Sequence, residues 1–116
     1  MKYVIPLLVA LATPVAADPP VIEKVVAVAQ GTAWRFDVTL RHGDTGWDDY
    51  ADGWRVLDMN GKELGMRELF HPHVNEQPFT RSLSGIEIPA GVTQVRIEAR
   101  DSVGGWSGAI TTVTLR

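Results

Sequence analysis

The 116-residue chain contains no cysteine. That excludes disulfide staples, thiol catalysis, and zinc or iron–sulfur sites built on thiolates. It also leaves no thiol to carry the lipid of a bacterial lipoprotein, so an anchor of that kind is not expected. Basic residues are few and spread out. The 11 Lys and Arg stand against 14 Asp and Glu, for a net charge of −3. That balance argues against nucleic acid or an anionic membrane as the main partner. No stretch shows sustained helical periodicity, an internal repeat or low complexity. Long apolar runs are missing too, except at the N-terminus, where the run of roughly ten residues falls short of the about twenty needed to span a bilayer.

That N-terminal stretch reads as a targeting segment. Lys2 supplies a short positive region, YVIPLLVALA an apolar one, and Val15-Ala16-Ala17 a small-residue cleavage site. Residues 1–17 are therefore expected to be a signal peptide, 18–20 a leader, and 21–116 one domain. The expected location is the periplasm or the exterior, with no stable membrane anchor after cleavage. A domain of this size can bury a workable core without disulfides.

Glycine, proline or asparagine punctuates the chain roughly every eight to twelve residues, the spacing of an all-β sandwich. Val21 to Ala29 is β-branched and apolar. Ala33 to Arg41 alternates, with Trp34, Phe36, Val38 and Leu40 on one face. Gly53 to Met59 is a third strand, placing Trp54 and Val56 together and turning at Asn60-Gly61, a strong hairpin signal. Trp34 and Trp54 are assigned to the core. Glu63 to Phe70 returns antiparallel, weakened by Gly65. Further strands run from Phe79 to Ile88, from Gln94 to Arg100 with Val95, Ile97 and Ala99 inward, and over ITTVTLR at the end.

The run FTRSLSGIEIPAGVTQVRIEARDSVGGWSGAITTVTL resembles the second half of a fibronectin type III domain. The Trp34 and GWRVLD strands fall where strands B and C of that superfamily would. The resemblance implies a single seven-strand immunoglobulin-like or fibronectin type III-like sandwich. One departure is clear: Thr93 or Val95 stands near the place of the usual corner tyrosine. The blocks DTGWDDYADGW, HPHVNEQPFTRSLSG and DSVGGW also resemble those of an uncharacterised group of small exported bacterial proteins. That likeness implies export and no activity.

Following chain direction through such a sandwich brings three loops, HGDTGWDDYAD, HPHVNEQP and DSVGGWSG, to one pole. Loops on a rigid sandwich are where binding function concentrates. All three histidines lie there. An H-x-H pair in extended backbone puts His71 and His73 on one side, about 7 Å apart at Cα. His42, ending the second strand, would complete a three-histidine set for copper or zinc, with Asp49 or Asp101 as a fourth ligand or orienting group. Such a site takes neutral imidazoles, so affinity is expected to fall below about pH 6.5. Against this stands ordinary loop chemistry for a histidine beside proline. Calcium is a weaker candidate, because the acidic run Asp44, Asp48, Asp49 and Asp52 lacks the ligand spacing of an EF-hand.

The alternative is a non-metal recognition domain, in which Trp47, Tyr50 and Trp106 contact a glycan or a protein partner. The competing view of those aromatics is that they cap the end of the sandwich. No serine sits in a strand-to-helix elbow and no oxyanion donor can be named, so enzymatic activity is not expected. The expectation is an exported binding module that works through one pole.

Overall fold

The computed structural model describes residues 18–116; the expected signal peptide, residues 1–17, lies outside the described residues. Seven strands follow in chain order: β1 (Val21–Gln30), β2 (Ala33–Arg41), β3 (Ala51–Leu57), β4 (Glu63–Glu68), β5 (Phe79–Glu87), β6 (Gln94–Asp101) and β7 (Gly105–Thr114). They form two antiparallel sheets, one ordered β1-β2-β5 and the other β4-β3-β6-β7. The molecule is all-β, and the two sheets face each other as a sandwich.

The period-2 alternation of the sequence is what closes the sandwich. Phe36, Val38 and Leu40 of β2 are buried, opposite Trp54 and Val56 of β3 and Val95, Ile97 and Ala99 of β6. Burying a large apolar side chain of this kind contributes about 1.5–3 kcal/mol. Trp54 is fully buried as expected, while Trp34 packs against the core only partly covered. Among the described residues the two sheets share one buried cluster, so this segment has a core of its own.

Strand ends differ from the sequence reading where polar residues turn out to belong to the sheet. β3 begins at Ala51, two residues before the expected Gly53, because Ala51 is buried and the Asp52 carboxylate accepts from Arg100 Nε at 2.9 Å. β7 begins at Gly105, since the glycine-rich loop is only a tight turn. Gly65 does not simply weaken β4. A Cβ there would sit 3.2 Å from Ile86 Cγ1 and 3.3 Å from Leu83 Cδ2, so glycine lets β4 approach β5 of the opposite sheet.

Three connections meet at one pole: residues 42–50, 69–78 and 102–104. Hydrogen bonds stitch them together. Ser102 N donates to Tyr50 O at 2.9 Å and Tyr50 N to Ser102 Oγ at 3.0 Å. His42 N donates to Gln77 Oε1 at 3.0 Å, and Gln77 Nε2 to His73 O at 2.9 Å. Among the described residues, no helix is long and apolar enough to cross a membrane.

Candidate metal centre

The inward rows of two strands do not stop at the core. In β2 the row Phe36, Val38, Leu40 leads on to His42, one residue beyond the strand, and His42 is 6% exposed. In β6 the row Val95, Ile97, Ala99 leads on to Asp101, which is 0% exposed. One row comes from each sheet, so an imidazole and a carboxylate meet across the mouth of the sandwich. Asp49 comes in from the 42–50 loop, pinned by Thr45 N donating to Asp49 O and Asp49 N donating to Gly46 O.

His42 Nε2 lies 3.7 Å from Asp49 Oδ1 and 3.9 Å from Asp101 Oδ2. One ligand atom from each residue falls within 4.8 Å of the others. Two zinc-ligand atoms with bonds of about 2.1 Å stand at most about 4.2 Å apart, so the two His42 spacings suit a small dication. Both carboxylate oxygens are buried without a hydrogen-bond partner. The separations are too long for hydrogen bonds. The other Asp101 oxygen is already engaged, accepting from the backbone N–H groups of Val103 and Gly104.

Asp44 fixes the orientation of the ring. Its side chain is fully buried, and Oδ1 lies 2.6 Å from His42 Nδ1 while also accepting from Ala51 N at 3.0 Å. Its Oδ2 accepts from His73 N at 2.7 Å. A carboxylate can only accept, so His42 Nδ1 carries a proton and Nε2 is turned toward Asp49 and Asp101. A carboxylate bonded to the far nitrogen is the usual support of a metal-binding histidine. The sequence reading placed Asp44 at this pole without giving it this part. The H-G-D spacing is the only signal for it, and a weak one.

His71 and His73 fall outside this group, so the structure does not assemble the three-histidine set. The His73 ring stacks on Phe79 with centroids 3.9 Å apart and planes at 10°. Its Nε2 lies 2.9 Å from Arg81 Nη2, which can only donate, and its Nδ1 is buried without a partner. Burial, then the charges of Arg81 and His71, hold the His73 pKa below the ordinary histidine value. His71 stays exposed beside it, with ring centroids 4.6 Å apart and Nδ1 3.2 Å from Pro72 O.

The acidic run also divides. Asp44 turns to His42, Asp49 to the centre, and Asp52 to Arg100, so these three carboxylates do not converge on one ion. Of the three expected contact aromatics, Trp47 and Tyr50 meet edge to face with centroids 5.6 Å apart, and Trp47 is 66% exposed. Trp106 does not join them. It lies in β7 beneath the guanidinium groups of Arg55, 4.0 Å from the ring centroid, and Arg100, at 5.2 Å.

The chain is 44% identical over 88 residues, 76% of its length, to a protein of Halomicrobium mukohataei named "Putative lipoprotein". The match covers 43% of that relative, so the chain spans less than half of its length. No protein-family profile matches the chain, and no solved structure matches it.

Proposed function

We propose that the loop pole binds a transition-metal dication, with His42 Nε2, Asp49 and Asp101 as ligands and Asp44 orienting the imidazole. The observation that carries this reading is the convergence of His42 Nε2, Asp49 Oδ1 and Asp101 Oδ2, with both buried oxygens lacking a hydrogen-bond partner. Two buried carboxylate oxygens and an imidazole nitrogen repel unless a cation or a proton lies between them. One nitrogen and two oxygens suit zinc, or copper as the alternative, better than calcium, which prefers six to eight oxygen ligands. Three protein ligands leave one position open to an exogenous ligand. The strand order supports an immunoglobulin-like or fibronectin type III-like assignment. The likeness to a protein named as a lipoprotein supports an exported or membrane-associated one. A second reading, recognition of a glycan or protein by aromatics, is favoured by the exposed Trp47.

Thermal melting of residues 18–116 with added zinc or copper tests the metal. A ligand at a hundredfold excess over its Kd stabilises by about 2.7 kcal/mol. Asp101→Asn keeps the oxygen that accepts from Val103 and Gly104 but removes the charge facing His42. It is expected to abolish the metal-induced rise while leaving the metal-free protein as stable or more so. Equal rises in wild type and Asp101→Asn would remove the basis of the site.

A further inference from the structure

The apolar surface of the molecule is unevenly placed. Among the described residues, the four most exposed large hydrophobic side chains are Phe70 (67%), Trp47 (66%), Val103 (54%) and Val74 (52%). All four belong to the three loops of the metal pole. The other exposed large hydrophobics, in the strands and the far hairpin, do not exceed 46%. We propose that this pole docks on a phospholipid bilayer by inserting the apolar tips of its loops into the interface.

A bilayer fits these tips better than a protein partner does. They stand on three loops, with Phe70 and Val74 on the one that carries a concavity of about 420 Å³ lined by His71, Glu76 and Arg81 among others. A protein would need a surface shaped to three separate loops, whereas a bilayer adapts to each tip. Tryptophan at a loop tip suits the headgroup region, where its amphipathic ring is favoured. Arg67 lies 6.0 Å from the Phe70 ring, so a cation stands at the level where headgroup phosphates would lie.

The path of the chain points the same way. Val21 pairs with Arg41, the residue before His42, so the chain enters the domain at this pole. Only Asp18 to Pro20 separate the first strand from the apolar N-terminal segment of the sequence. Membrane contact by that segment during export would present this pole to the bilayer first. The attraction is apolar rather than electrostatic, in keeping with the net charge of −3, and it does not depend on the metal.

Sedimentation of residues 18–116 with phosphatidylcholine vesicles, with and without added phosphatidylglycerol, provides the test. The wild type is expected to partition onto both, with tryptophan emission shifted to the blue. Added salt and a metal chelator should change little, which separates this outcome from that of the metal site. The exposed pair Trp47→Ser/Phe70→Ser should lower the partition coefficient by at least about tenfold, because interfacial binding scales with buried apolar area. The control pair Val26→Ser/Met66→Ser, away from the loops, should bind like wild type. Absence of wild-type binding to either vesicle would overturn the proposal, as would equal binding by the loop pair; the tips would then belong to a protein contact.

Discussion

Asp44 holds the His42 ring on one oxygen at 2.6 Å and the backbone of His73 on the other at 2.7 Å, yet the two imidazoles face different surroundings. His42 gives Nδ1–H to the carboxylate and turns Nε2 toward two more. His73 has its Nε2 lone pair taken by Arg81, its other nitrogen buried without a partner, and its ring face against Phe79. Two histidines of one pole, joined through one carboxylate, thus divide into a ligand-ready ring and a packing ring. The difference lies in what each second nitrogen does. The His71-x-His73 spacing, the more conspicuous pattern in the sequence, carries no information on that point.

Removing the shared carboxylate should disturb both sides and give the largest effect. Asp44→Ala leaves His42 Nδ1–H, Ala51 N–H and His73 N–H without their acceptor in a buried place. Loss of a buried charged acceptor of this kind is expected to cost about 3–5 kcal/mol in urea denaturation. Asp44→Asn keeps most of the shape and should cost less, yet weaken metal binding by about 10–100-fold, as loss of a carboxylate behind a ligating histidine does. A cost below about 1 kcal/mol for Asp44→Ala would mean that the two histidine environments are organised independently.

The sequence carried much of the sandwich and part of the site. Alternation in Ala33 to Arg41 and in Gln94 to Arg100 is a direct record of which side chains face the core, and the buried rows match it. The same alternation, continued by one step, places His42 and Asp101 inward. The choice of those two as candidate ligands rested instead on their place at the loop pole. What the sequence could not carry was loop trajectory. Nothing local states that Asp52 turns to Arg100, a partner 48 residues away, while Asp49 swings toward His42 within its own loop. Likewise, GGWSG reads as a loop, although Trp106 is a strand residue held beneath two arginines of the same sheet.

A moderate effect should separate the two histidines by pH. The folded pKa of His73 lies below the 6.5 of an unperturbed histidine, through burial first and then Arg81. Between those two values the unfolded chain binds more protons than the folded one, so stability rises with pH across that window. Its contribution is fully present above about pH 6.5 and is lost progressively as pH falls toward the folded value. His73→Gln should flatten this part of the profile when urea midpoints are compared between about pH 5 and 8. Arg81, His71, Glu76 and Asp44 set the local field, so Arg81→Met should shrink the slope without removing it. An unchanged profile in His73→Gln would make His73 no different from an exposed loop histidine.

The smallest expected effect separates a metal centre from a surface that merely holds imidazoles. His71 is exposed, contacts Pro72 O with Nδ1, and lies outside the group formed by His42, Asp49 and Asp101. His71→Ala should therefore shift stability by no more than about 0.5 kcal/mol. It should also leave the zinc-induced rise in melting temperature at its wild-type size, whereas His42→Gln abolishes that rise. Copper binds adventitiously to exposed imidazoles, so zinc is the stricter probe, and isothermal titration at one site per chain is the stricter readout. If His71→Ala lowers zinc affinity as much as His42→Gln does, the loops must close further when metal binds, and His71 would join the ligand set. If only His42→Gln acts, the carboxylate behind the ring, rather than the density of histidines, marks the ligand.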